Sequence, residues 1–101
     1  MTTPRTTREP DGRARFELGR LITTPGVLDL IQAGVIHPGL LLRRHVKGDW
    51  GQADDHDRRA NDTALADGDR LVSAYGHGGT RVWVVTEADR SVTTMLLPGE
   101  A

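Results

Sequence analysis

Cysteine is absent from this chain of 101 residues, and its absence excludes several kinds of chemistry at once. Without a thiol there can be no disulfide, no thiolate zinc site and no cysteine nucleophile. Long apolar runs are also missing, since none approaches the roughly 20 residues needed to cross a bilayer. The first residues, MTTPRTTREPDGRAR, lack the apolar segment of a secretory signal. We therefore expect a cytoplasmic protein that makes no membrane contact.

The chain also has little net charge. It is only −1 at pH 7, so no overall field attracts the protein to nucleic acid or anionic lipid. The composition, 37% hydrophobic and 27% charged, is that of an ordinary globular protein, and the length suits one domain. Residues 1–14 hold almost no large apolar side chain and indicate a flexible arm. We expect a single α+β domain over 15–98 and a C-terminal tail over 99–101.

The most apolar stretch, Arg81 to Pro98, is typical of a β-hairpin. Two runs rich in β-branched residues, 82–85 and 92–97, flank a polar connection. A further strand precedes them at Arg70 to Tyr75, followed by a glycine-rich turn. Three consecutive antiparallel strands are predicted at about 70–76, 81–87 and 90–97. The middle one is apolar on both faces, which predicts cover on each side of the sheet.

Helix signals lie upstream of these strands. Thr24, followed by proline and glycine, predicts the start of a helix. The hydroxyl oxygen of the threonine is expected to accept a hydrogen bond from one of the free backbone N–H groups there. A second helix is predicted to open at His37-Pro38 and to end at Gly48. The segment 49–69 holds seven aspartates against two arginines, and a third helix capped by Asp54 or Asp55 is predicted there.

A short alternating stretch, Phe16 to Gly19, predicts a fourth strand near the start of the domain. Together, these patterns predict an α+β fold in which two or three short helices pack on a three- to four-stranded antiparallel sheet.

A cluster of basic and aromatic residues at the end of the second helix is the main candidate for a binding surface. Two interpretations remain open there. The residues form a surface for a protein or nucleic-acid partner, with cations for phosphate and an indole for stacking. Alternatively, the cations match the helix dipole and the tryptophan fills the core. The candidate partner-binding residues are Arg43, Arg44, His45, Lys47, Asp49 and Trp50.

Metal, cofactor and catalytic motifs are not found. There is no HExxH pair, no Walker loop, no GxGxxG and no nucleophile elbow. The acidic run around His56 cannot direct all its side chains to one ion, because adjacent residues at a helix start point in different directions. We therefore predict no metal site and no cofactor.

Four segments carry a resemblance to a known family: FELGRLITTPGVLDLI, RHVKGDWG, LVSAY and RVWVVTEADRSVTTMLLP. Over about residues 16–98 the chain resembles short bacterial proteins, described as plasmid-related, that are carried by plasmids and integrated mobile elements. The resemblance implies no particular activity. With no complete catalytic constellation, it favours a small accessory or interaction protein of a mobile genetic element, which binds a protein or nucleic-acid partner.

A weaker resemblance, in architecture alone, is to small toxin-like ribonucleases of the barnase, colicin and RelE type. It implies an alternative function as a metal-independent ribonuclease in which His45 is the acid or base. Arg81 or Arg90 would then bind the scissile phosphate, and Thr93 or Tyr75 would assist. This hypothesis requires His45 to lie beside those side chains in an open cleft, whereas burial of His45 or Trp50 would favour a structural role.

Overall fold

The computed structural model describes residues 13–101, and most of the predicted arm lies outside the described residues. Within this range, four strands form one sheet in the order β1-β4-β3-β2. Three α-helices in the same range accompany the sheet, which confirms the predicted α+β class. The elements are β1 (Arg20–Thr23), α1 (Pro25–Gln32), α2 (Pro38–Val46), α3 (Asp55–Asp67), β2 (Leu71–Tyr75), β3 (Val82–Thr86) and β4 (Val92–Leu96).

The sheet is mixed, and the prediction of a purely antiparallel sheet is wrong. The β2, β3 and β4 strands are antiparallel neighbours, as the hairpin signals predicted. However, β1 pairs in parallel with β4, placing Leu21 opposite Thr93. Residue patterns indicate which residues form strands, but the direction of a pairing between distant segments depends on the path of the chain between them.

The first strand begins later than predicted. The stretch Phe16 to Gly19 is irregular, and β1 starts at Arg20. Gly19 has a φ of +66°, and a Cβ atom there would lie 2.3 Å from the carbonyl oxygen of Ser91. Glycine thus allows the chain to pass close to β4. The alternation that suggested a strand instead turns Phe16 toward the aromatic rings of His45 and Trp50.

Local signals located the ends of α2 and α3 well. The carboxylate of Asp54 accepts a hydrogen bond from the backbone N–H of Asp57 at 2.8 Å, which caps α3. Gly68 ends the helix in the left-handed conformation, with a φ of 75°. Gly48 performs the same role just after α2, with a φ of 86°.

The N-terminus of α1 is satisfied from the far end of the chain. Thr24 stands at the N-cap position, but its side chain accepts no hydrogen bond from the helix amides. Instead, the carboxylate of Glu100 accepts from the backbone N–H of Gly26 at 2.9 Å and from the Thr24 hydroxyl. A tertiary contact therefore replaces the predicted local cap. Residues 98–100 form a 3₁₀ turn that positions this carboxylate.

All three helices pack on one face of the sheet. That face contributes alternate strand residues, among them Leu71, Tyr75, Val84 and Met95, to a core shared with helix side chains such as Val27. In residues 13–101 no helix has the length and apolarity to cross a membrane.

The opposite face of the sheet carries no helix among the described residues, so the predicted cover on both sides is wrong there. Its middle row consists of Val72, Val85 and Thr94, with Trp83 and Leu96 beside them. All five residues are half-buried. The apolar residues of β3 are explained by its central position between β2 and β4. Side chains of neighbouring strands shield one another even on the face that no described helix covers.

The outer edge of β2 is protected by side-chain and backbone pairing. The amide side chain of Asn61 donates to the Val72 carbonyl at 2.7 Å and accepts from the Val72 N–H at 3.0 Å. Farther along, the N–H of Ala74 donates to the carbonyl of Trp50, and Gln52 donates back to Ala74. These bonds occupy strand groups that would otherwise be open to another chain.

The two tryptophans provide a matched test of this one-sided packing. We expect Trp50→Ala to lower the free energy of unfolding by about 3–5 kcal/mol, because its ring is buried. Trp83→Ala should cost about 1 kcal/mol, since that ring is only half-buried on the open face. Urea denaturation of both variants measures the difference. Equal losses would contradict the assignment of the two faces.

Candidate functional site

The candidate segment at the end of α2 divides into an inner and an outer set of side chains. His45 is 0% exposed and Trp50 is 3% exposed, so neither reaches a partner at the surface. Arg43, Arg44 and Asp49 are exposed, and Lys47 is half-buried. The prediction that His45 and Trp50 belong to the binding surface is therefore corrected, because both fill the core between α2, α3 and the sheet.

The His45 imidazole is held by hydroxyl groups on both sides. Its Nδ1 lies 2.6 Å from the Ser73 hydroxyl, and its Nε2 lies 2.9 Å from the Thr86 hydroxyl. Thr86 in turn lies 2.7 Å from the hydroxyl of Thr93, which donates to the carbonyl of Leu18 at 2.7 Å. The buried ring thus links α2 to three strands.

When the imidazole is neutral, only one arrangement of protons satisfies this series of hydrogen bonds from Ser73 to Leu18. The carbonyl of Leu18 can only accept, so the single hydroxyl proton of Thr93 is used there. Thr86 must then donate to Thr93, and it accepts from His45 Nε2–H. The Nδ1 atom is left as the acceptor of the Ser73 hydroxyl proton. Each group in the chain finds a partner, which explains how a polar ring is accommodated in the core.

The same environment opposes protonation of His45. Burial lowers the pKa of its imidazole to about 4, and the positive charge of Arg90 adds to the effect. Phe16 contacts the imidazole edge-on, with ring centroids 5.1 Å apart. The Arg90 guanidinium lies over the Phe16 ring, 5.6 Å from its centroid. His45 is consequently a neutral structural group at pH 7.

The turn from Gly48 to Gly51 is held by hydrogen bonds and by a close backbone contact that require specific residue types. The carboxylate of Asp49 accepts from Arg44 Nε at 2.7 Å and from the Gly51 N–H at 3.1 Å. The Arg44 hydrogen bond keeps the pKa of Asp49 below its usual value. The Trp50 indole N–H donates to Asp62 of α3 at 3.0 Å. At Gly51, whose φ is +66°, a Cβ atom would lie 2.1 Å from the Ala74 carbonyl oxygen.

The residues of the ribonuclease hypothesis do not converge on an open cleft. Thr93 is fully buried and reaches His45 only through Thr86. Tyr75 is buried on the same face, where its hydroxyl donates to the carbonyl of Asp49 at 2.5 Å. Arg81 lies on the other face of the sheet, beside Trp83.

Arg90 is occupied by backbone carbonyls. Its guanidinium donates to the carbonyls of Asp69 at 2.6 Å, Glu87 at 3.2 Å and Ala64 at 3.1 Å. It is the one non-glycine residue in the range 13–101 with a positive φ, at 62°. The arginine therefore closes the β3–β4 connection against the last turn of α3, and its donors are not directed toward a phosphate.

A solvent-exposed groove of about 510 Å³ runs along the outer side of α2. Its apolar part includes Val35 and Leu40, which are 49% and 54% exposed. The cationic part is formed by the basic residues of the candidate segment. The lining residues are Val35, Ile36, His37, Leu40, Leu41, Arg43, Arg44, Lys47 and Asp49.

Four of the six predicted partner-binding residues line this groove, but its apolar part was missed. The sequence signal was present: Leu40 precedes Arg43, Arg44 and Lys47 by three, four and seven positions, which places all four on one side of a helix. The pattern alone does not tell which of several adjacent leucines in a short helix remains outside the core.

The charge of the groove is positive. Arg44 is paired with Asp49, and its guanidinium also stacks over the Tyr75 ring at 4.5 Å from the centroid. Within residues 13–101, Arg43 and Lys47 take part in no ion pair. Both cations thus remain available to an anionic ligand.

In comparisons with known proteins, no family model, no curated protein and no solved structure matches this chain. A function therefore has to be argued from the geometry of the site. Over the described part of the chain, no three histidine, aspartate or glutamate side chains lie together as a metal site would require.

The burial of His45 makes the fold sensitive to acid. The unfolded chain takes up a proton near the ordinary histidine pKa of about 6.5, whereas the folded chain does so only near 4. The stabilising effect is therefore complete above about pH 6.5 and is lost as the pH falls from there toward 4, by about 3 kcal/mol in all.

We expect the stability advantage of the wild-type protein over His45→Gln to shrink by about 2 kcal/mol between pH 7 and pH 5, since glutamine does not titrate. Urea unfolding at the two pH values measures it, and the NMR shift of the His45 Cε1 proton reports its pKa directly in the wild type. A ring that titrates near 6.5 would contradict the buried neutral assignment.

Proposed function

We propose that this protein is a small interaction protein, an accessory of a mobile genetic element, that binds its partner through the groove along α2. The observation that carries the proposal is the exposed apolar part of the groove beside two cations, Arg43 and Lys47, that form no ion pair within residues 13–101. Both properties are costly to leave at a surface: apolar side chains gain from removal from water, and like charges repel one another. A partner that covers both would relieve both.

The arrangement beneath the groove supports this role. The His45 hydrogen-bond chain and the stacking of Arg44 on Tyr75 fix α2 on the sheet. Asp49 further orients Arg44, so one of the groove's cations is held in a defined position. A rigid helix that presents a fixed set of side chains loses little conformational entropy on binding.

The ribonuclease alternative has lost its geometric support. It needed His45 in an open cleft near Arg81 or Arg90, and the ring is instead enclosed between α2 and the sheet. General acid–base catalysis requires the group to come within hydrogen-bond reach of a substrate atom. Among residues 13–101, the enclosed His45 ring has no surface exposure through which a substrate could reach it.

Site-specific photo-crosslinking tests the proposed binding surface. A photoreactive amino acid at position 40, in the groove, should form a covalent adduct with one partner in the native host. The same group at position 28, where Leu28 is similarly exposed at 44% but lies outside the groove, serves as the matched control.

The partner identified in this way should bind the purified protein, and Leu40→Asp should weaken binding by about tenfold or more. Leu28→Asp should leave the affinity unchanged. Adducts at position 28 only, or none at position 40, would refute the proposed surface.

The ribonuclease alternative can be tested separately. The purified protein, incubated with RNA in EDTA, should leave the RNA intact, and its expression should not arrest growth. Cleavage that disappears in His45→Gln while the variant remains folded would revive the enzymatic hypothesis. Folding of the variant is checked by its circular dichroism spectrum and its cooperative unfolding.

A further inference from the structure

The groove along α2 has an apolar end and a cationic end. A helix rises 1.5 Å per residue, so Leu40 and Lys47 lie about 10 Å apart along its axis, with Arg43 between them. Val35, just before the helix, extends the apolar end. A ligand that fits this groove therefore needs an apolar part and an anionic part about one to two helical turns apart.

Charge is also segregated over the molecule. The groove carries three cations and one aspartate, Asp49. The following segment 50–69, which contains α3, has six aspartates against two arginines and so a net charge of −4. The α3 helix packs on β2, and α2 packs on β3. An acidic ligand is thus attracted to α2 and repelled from α3, which orients its approach.

Nucleic acid and small molecules fit this surface poorly. A phosphate backbone would use the cations, but it would leave Val35 and Leu40 without an apolar partner. Sites for small ligands bury about 70–90% of the ligand surface. This groove is open along its length, with both of those apolar side chains about half exposed. A macromolecular segment that covers the groove from outside satisfies both ends.

On the basis of the proposed function, we propose that the groove binds an acidic amphipathic helix of a partner protein. Its apolar side chains would cover Val35 and Leu40, and its carboxylates would meet Arg43 and Lys47. Helices commonly bind in grooves of this kind through side chains spaced at i, i+3, i+4 and i+7. For the 1.5 Å rise per residue, the carboxylates should lie three to seven positions from the apolar anchor.

Selection from a display library of short random peptides on the purified full-length protein tests this chemistry. We expect the enriched peptides to carry one or two large apolar residues with aspartate or glutamate three to seven positions away. Binding of a synthetic enriched peptide should weaken about tenfold or more in Arg43→Glu/Lys47→Glu. It should stay unchanged in Arg59→Glu, which alters an exposed arginine of α3 outside the groove.

A parallel selection with random single- and double-stranded oligonucleotides supplies the competing outcome. Enrichment of oligonucleotides whose binding depends on Arg43 and Lys47, without any peptide, would overturn the inference of a helix while leaving the groove as the binding surface. Basic or purely apolar peptides, or no enrichment in either library, would also overturn it. Failure of the crosslink at position 40 in the host is a distinct result, because it would remove the proposed surface itself.

Discussion

The buried imidazole of His45 is the contact on which the rest of the structure depends. One ring joins α2 to β2 through Ser73 and to β3 through Thr86, and Thr86 continues the chain to Thr93 of β4. These hydrogen bonds tie α2 to the sheet, and around the neutral ring their protons can be arranged in only one way. A charged ring would break this arrangement and place a cation in the core, which is why burial depresses its pKa.

The contact of His45 with the sheet determines which side chains of α2 face the solvent. With His45 turned inward, residues three and four positions apart on the opposite side of the helix turn outward together. Leu40, Arg43 and Lys47 are consequently presented as a row in the groove. The same short segment thus has a structural half and an exposed half. The structural interpretation holds for His45 and Trp50, which are buried, whereas binding through the exposed side chains is the proposed function.

The acidic α3 helix acts mainly through a few inward contacts. Asp62 accepts from the indole of Trp50, and Asn61 completes the hydrogen bonds of the β2 edge. Arg90 holds the last turn of the helix through the Ala64 carbonyl, where a cation also suits the negative end of the helix dipole. The remaining aspartates form a solvated acidic face on this side of the molecule.

Sequence by itself determined the elements whose signals are local. Proline, glycine and aspartate at fixed positions located α2 and α3, and the apolar runs located β2, β3 and β4, because capping and turn formation involve residues only a few positions apart. The tertiary structure alone decided the parallel pairing of β1, the capping of α1 by Glu100 and, within residues 13–101, the packing of the helices on one face of the sheet. It also decided the inward turn of His45 and Trp50. Each of these depends on residues distant in the chain, whose approach is set by packing of the whole domain.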